Sequence, residues 1–192
     1  PTGISIFQEI HLHPTPEAQL EACAEAIQAC NEILVAGRLD LQSSCPGLAV
    51  ASHMRFNYWS DDALIKISNT HVEALNYALS DVPAEKVRVH ICWGNYEGPH
   101  ICDIPMSKMF DTLMSTKARY VLFETSNPRH GHEWSVFKDR KNDIPEDKVL
   151  VPGVVDTTTN FVEHPDLVAQ RVDRFVDIVG ADRVIAGSDC GF

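Results

Sequence analysis

Val87-Arg-Val-His-Ile-Cys-Trp-Gly-Asn-Tyr-Glu97 begins as an apolar, β-branched run and ends in small and polar residues. That pattern predicts a buried strand running into a functional loop. Within it His90 and Cys92 stand two apart, so on a strand both side chains point to one face. A thiolate beside an imidazole is half of a tetrahedral zinc site. A core cysteine next to a hydrogen-bonded histidine would read the same way in isolation, because free Cys is among the most buried residue types. Two further ligands from elsewhere in the chain decide between the readings.

On the N-terminal side, Leu39-Asp-Leu-Gln42 reads as a strand ending at Ser43-Ser44-Cys45-Pro46-Gly47, and residues 61–79 as a long helix. Thr15-Pro16-Glu17 starts an earlier helix that runs to about Val35 and stops near Gly37: Thr15 is the N-cap, Pro16 the first helical residue and Glu17 favourable to the dipole. Gly3-Ile-Ser-Ile-Phe7 alternates like a short strand, and His11 and His13 follow it on a loop where exposure is expected.

On the C-terminal side, a helix is expected from Asp103 or Ile104 to about Ser115, with Met106, Met109, Phe110 and Leu113 forming a core-facing stripe. Arg119-Tyr-Val-Leu-Phe-Glu124 is the next strand, followed by a solvated loop around Arg129-His130-Gly131-His132 and a short helix reaching Phe137. Residues 138–148 read as a charged, solvated connection. Val149-Leu-Val-Pro-Gly-Val-Val155 is a buried strand delivering Asp156, residues 165–179 a helix ended by Gly180, and Arg183-Val-Ile-Ala-Gly187 a last strand delivering Ser188-Asp189-Cys190.

Strands alternating with helices across crossover-length connections predict a parallel α/β fold. No Gly-rich dinucleotide fingerprint follows a strand. Polar residues gather after successive strand ends, as at the C-terminal mouth of a (β/α)8 TIM-type barrel. About six strands are legible where a closed barrel has eight, so the expectation is an incomplete barrel, its C-terminal part, forming a single domain over 1–192. No repeat beyond the βα alternation and no dividing linker is visible. An open barrel exposes strand edges and apolar interior, which predicts a homo-oligomer or a partner chain that completes it.

The net charge of −11 argues against nucleic acid, which needs clustered Lys and Arg. No apolar run approaches the roughly 18 residues of a membrane span, and no signal peptide opens the chain. The start at Pro1 without Met is that expected of a processed or trimmed N-terminus. Six cysteines in a chain of this size and regularity predict free or metal-bound thiols in a reducing, cytoplasmic compartment.

Three strand ends then offer ligands: His90 with Cys92, Glu124, and Cys190. At a barrel mouth they converge, and two thiolates, an imidazole and a carboxylate suit zinc. Trp93, Asn95, Tyr96 and Glu97, on the loop immediately after two ligands, are expected to shape a substrate pocket.

The chain resembles the cobalamin-independent methionine synthases, and more closely the shorter proteins grouped with their C-terminal catalytic barrel. The motifs that carry this are Leu41-Gln42 with Cys45-Pro46, His90-Ile-Cys92-Trp-Gly-Asn-Tyr-Glu-Gly-Pro-His100, Phe123-Glu124, Pro152-Gly-Val-Val-Asp156 and Asp189-Cys-Gly191. The resemblance implies zinc held by His90, Cys92, Glu124 and Cys190, with Asp156 and Glu97 as catalytic acids and Gln42, Ser44, Trp93, Asn95, Tyr96 and Asp189 around the substrates. It implies transfer of a methyl or alkyl group to a small-molecule thiol, of homocysteine type, from a donor of 5-methyltetrahydrofolate type. In related coenzyme M transferases the carbon attacked belongs to an epoxide. The chain departs from the synthases at Ser44 and Gly47, where they carry acids that hold the amino-acid substrate. It departs again at Thr158, where they carry a proton-carrying histidine; His164 or His100 could stand in for it. The alternatives are a non-catalytic barrel subunit that needs a partner chain, and a metal-assisted lyase or decarboxylase, which the paired cysteine ligands favour less.

Overall fold

The computed structural model describes residues 13–50 and 59–191. The strand expected over 3–7 and His11 lie outside them; His13 is half-buried.

Five parallel strands form one sheet in chain order, β1 (Leu41–Ser44), β2 (Val87–His90), β3 (Tyr120–Phe123), β4 (Val149–Val155) and β5 (Gly187–Ser188). The sheet curls as a half-barrel, an incomplete TIM-type barrel. Helix α1 (Pro16–Ala36) precedes β1, and α2 (Asp61–Ala78), α3 (Met106–Met114), α4 (Trp134–Asp139) and α5 (Pro165–Val179) occupy the four crossovers. The registers Ser44↔His90, His90↔Leu122, Phe123↔Pro152 and Val155↔Ser188 bring all five C-terminal ends to one edge.

Strand alternation separates structure from chemistry. Val87, Val89 and Ile91 are fully buried in the core shared with α2 and α3, whereas Arg88 and His90 point to the opposite face. The helix layer closes on an aromatic cluster in which Phe137 of α4 stacks on Phe123 of β3 at 4.3 Å and meets Phe110 of α3 and Phe175 of α5 edge-on at 5.6 Å each.

The helix starts follow local chemistry. Thr15 caps α1 by accepting from the Ala18 N–H, Ser60 caps α2 through Ala63, and the His164 ring accepts from Asp166 at the start of α5. Helix α3 begins at Met106, later than expected. Pro105 pushes Ile104 out of the helical region, and the Met106 N–H donates instead to Glu133 Oε1 at 2.7 Å. The last strand is also displaced. Residues 181–183 form a 3-10 turn, Val184 makes an isolated bridge with Leu150, and a register shift at Gly153/Val155 delays regular pairing to Gly187. The connection over 138–148 is solvated only in part. Ile144 is buried, and so is Lys148, whose ammonium donates to the Thr116 and Ala118 carbonyls. Among the described residues, no helix is long and apolar enough to cross a membrane.

Phe137→Ala removes the ring at the centre of the cluster and is expected to cost about 3–5 kcal/mol in urea unfolding. A loss below about 1 kcal/mol would show that α4 is not a packing element of this core.

Candidate metal centre

His90 ends β2, Cys92 follows it by two residues, and Cys190 follows β5. The Ile91 N–H donates to Leu122 O at 2.9 Å and the Cys45 N–H to His90 O at 2.7 Å, so sheet pairing extends to the lip of the mouth and fixes His90 there. The ligand atoms of His90, Cys92 and Cys190 all lie within 4.8 Å of one another. The two sulfurs are 3.5 Å apart. Two thiolates at about 2.3 Å from a tetrahedral ion stand about 3.8 Å apart, so the donor set fits zinc in kind and spacing. All six cysteines lie among the described residues, and none is in a disulfide.

The thiols share a proton. The Cys92 hydrogen bond to Cys190 brings the Cys190 pKa down to about 6. The same bond, together with burial, holds the Cys92 proton on its sulfur. Burial lowers the pKa of His90, which keeps its imidazole neutral, the form that ligates.

Glu124 lies beside this cluster but outside the 4.8 Å group. It is buried, and its oxygens accept from the Trp93 N–H at 3.0 Å and the Asn127 amide at 2.8 Å. Burial raises its pKa to about 7 against the opposing pull of His130. The Trp93 peptide thus links the ligand loop after β2 to the carboxylate after β3.

Asp189 sets the position of Cys190. Its Oδ1 accepts from the Thr125 and Ser126 N–H groups at 2.9 Å each, and its Oδ2 from the Asn127 N–H at 2.7 Å and the Asn127 amide at 2.8 Å. A Cβ on Gly153 would stand 2.1 Å from Asp189 Oδ1 and 2.6 Å from its Cα, so only glycine lets the chain end come this close to β4. Arg171 of α5 donates to Val154 O in β4, to Ser126 O in the loop after β3 and to Glu163 in the loop after β4.

The other expected site residues are less concentrated. Gln42 and Ser44 are exposed on β1. Trp93 is fully buried and donates its indole N–H to Ile104 O at 2.7 Å, so it is a wall of the core. Asn95 bridges two loops, accepting from the Thr157 hydroxyl and donating to Gly191 O. Tyr96 and Glu97 are exposed on the same loop. Asp156 accepts from both the N–H and the hydroxyl of Thr158 at 2.8 Å.

One group expected to be solvated is buried. His130 stacks on Trp93 with centroids 4.0 Å apart, and its ring nitrogens meet Glu133 Oε2 at 2.9 Å and Asp103 Oδ2 at 3.1 Å. Asp103 also holds His100, at 2.9 Å. Burial works against charge on His130, but the bonds from Asp103 and Glu133 outweigh it and hold the pKa up at about 9. Histidine and glutamate three apart, His130 and Glu133, were the one available signal of this pairing in the sequence.

Residues 69–192 match the family described as the cobalamin-independent synthase catalytic domain. The chain belongs to that family. Among its relatives, "2-hydroxypropyl-CoM lyase" of Xanthobacter autotrophicus is 30% identical over 143 residues, 62% of this chain and 38% of the relative. A B12-independent methionine synthase from Shewanella sp. W3-18-1, solved with selenomethionine, superposes with a TM-score of 0.67 at 17% identity over 94% of this chain and 50% of that one. A putative vitamin-B12 independent methionine synthase from Listeria monocytogenes gives 0.60 at 16% identity over 92% and 49%. This member of the synthase family therefore spans about half of each of these two solved structures and 38% of the lyase.

The His130 cluster gives a pH dependence. A pKa raised from 6.5 to about 9 contributes stability that is fully present below about pH 6.5 and is lost as pH rises through about 9. Urea unfolding from about pH 6 to about pH 10 is expected to show this decline in the wild type and a flatter curve in His130→Gln. Parallel curves would mean that His130 is not charged in the folded chain.

Proposed function

We propose that this chain is a zinc-dependent transferase that moves a methyl or alkyl group onto a small-molecule thiol. The single observation that carries the reading is the convergence of His90, Cys92 and Cys190 at the mouth of a synthase-family half-barrel. Cys92 and Cys190 supply the soft donors and His90 a neutral imidazole, with Glu124 as the fourth ligand. Zinc, when bound there, lowers the pKa of an acceptor thiol so that a thiolate exists at neutral pH.

Glu124 would complete the ligand set, and the Trp93 N–H and Asn127 amide would keep its oxygens satisfied when it is not coordinated. The acceptor sulfur gives up its proton and attacks the donor carbon. A C–S bond forms, the bond from that carbon to its leaving nitrogen or oxygen breaks, and the leaving atom takes a proton. Asp156 and the exposed Glu97 are the mouth carboxylates assigned to that proton handling, with Thr158 held against Asp156. Gln42, Ser44, Asn95 and Tyr96 border the approach, while Trp93 and Asp189 act from behind by holding the ligand loops.

For the donor, one feature favours an epoxide-type carbon over a folate methyl group: the relative named for 2-hydroxypropyl-CoM. The uncharged Ser43-Ser44-Cys45-Pro46-Gly47 segment at the end of β1 bears on the acceptor instead, because it offers no acid to an amino-acid ammonium. The described strands leave the sheet open beyond β1 and β5, so closing the barrel calls for strands outside the described residues, for which a second copy or a partner chain is one source.

Protein purified under reducing conditions and loaded with zinc is expected to hold about one ion per chain, lost in Cys190→Ser and Cys92→Ser. Zinc content near zero in the wild type would instead favour a structural subunit.

A further inference from the structure

The geometry points to Arg129 as the receiver of an anionic group, a carboxylate or a sulfonate, on the acceptor thiol. This deepens the thiol-transfer reading and rests on it.

Arg129 lies on the loop after β3, five residues beyond Glu124. Its backbone N–H donates to Asn127 Oδ1 at 3.0 Å, and Asn127 in turn donates to Glu124. One side of its guanidinium is used: Nη1 donates to Tyr96 O at 3.0 Å. The other side is not. Nε and Nη2 are shielded from solvent and, among the described residues, have no hydrogen-bond partner. These two nitrogens form the parallel fork that matches the paired oxygens of a carboxylate or sulfonate. Shielded donors without partners are uncommon and costly, and a ligand that satisfies both at once removes that cost.

The fork belongs to the same loop cluster as the metal ligands. Tyr96, which anchors Arg129, is adjacent to Asn95, and Asn95 donates to the carbonyl of Gly191, next to Cys190. This shared loop network is the basis for assigning the anion on the fork and a sulfur among His90, Cys92 and Cys190 to one small molecule.

Most described carboxylates nearby are already engaged. Asp189 is filled by four donors and Glu124 by two. Asp103 is held by His100 and His130, and Glu163 is paired with Arg171. Asp156 accepts from Thr158 through Oδ1 alone, and Glu97 is exposed. Against these, the Arg129 fork keeps two donors unmet.

The test titrates four thiols into the Co(II)-loaded full-length chain and follows thiolate-to-metal absorption: 3-mercaptopropionate, 2-mercaptoethanesulfonate, 2-mercaptoethanol and cysteamine. The readout is each Kd relative to that of 2-mercaptoethanol. At least one anionic thiol is expected to bind about tenfold tighter than 2-mercaptoethanol, and cysteamine no tighter than it. Comparing the two anionic thiols assigns carboxylate or sulfonate. The preference is expected to fall to about one in Arg129→Met. In Arg129→Lys, which keeps the charge without the fork, it is expected to fall in part. Because the Kd ratio is internal to each protein, a general loss of metal sites does not imitate the result, and the Lys variant reports if the Met variant fails to load. No anionic preference in the wild type, or one that survives in both variants, overturns the assignment while leaving thiol transfer intact. A wild-type Co(II) spectrum that no thiol perturbs overturns the thiol reading itself, and the assignment with it.

Discussion

The candidate site depends on one carboxylate. Cys190 follows the last, two-residue strand, where sheet pairing is too short to hold it in place. Asp189, immediately before it, accepts four hydrogen bonds from the loop over 125–127. A buried carboxylate group needs hydrogen-bond partners for both of its oxygens, and these four donors supply them. That grip draws the chain end across β4, past a glycine that alone allows the approach, and sets the Cys190 sulfur 3.5 Å from that of Cys92.

The rest of the mouth obeys the same rule. Beyond the strand ends there is no ladder, so side chains tie the loops to one another. Trp93 gives its peptide N–H to Glu124, Arg171 joins the loops after β3 and β4 through Ser126 and Glu163, and Asn95 joins the ligand loop to Gly191. The Glu133, His130 and Asp103 cluster underlies the ligand loop through the stacked Trp93 ring. A buried imidazolium between two carboxylates is tolerable because each charge has a hydrogen-bonded opposite, whereas removal of any one member strands the others. Such groups harden the loops that carry the ligands and leave the Arg129 fork as the mouth's unsatisfied edge.

Away from the mouth, the fold is carried by burial. The helix-facing side of β2 and β3 meets the Met and Phe stripe of α3 and the rings of Phe137 and Phe175, and at the opposite end the ammonium groups of Lys117 and Lys148 satisfy backbone carbonyls left over by helices and turns. The solvated reading of residues 138–148 overlooked this second use of lysine. A long aliphatic stem can be buried when the charge at its tip meets carbonyl oxygens, and nothing local in sequence distinguishes such a lysine from an exposed one.

The sequence by itself determined the elements and the ligand types. The capped helix start at Thr15, the β-branched strands and the His90–Cys92 spacing are properties of neighbouring residues, so they can be read without knowing what lies across the sheet. The parallel half-barrel follows from the alternation of those elements. The start of α3 was missed because Pro105 acts on the residue before it, and the start of β5 because a register shift in its partner, β4, delays the pairing. Burial of His130, the shielded fork of Arg129, the placement of Trp93 in the core and the role of Asp189 were decided only by tertiary structure. Each depends on groups dozens of residues away, such as Asp103 for His130 and residues 125–127 for Asp189. Contacts between distant segments leave no local pattern, because the chain between them is free to vary as long as the fold returns the two groups to hydrogen-bonding distance.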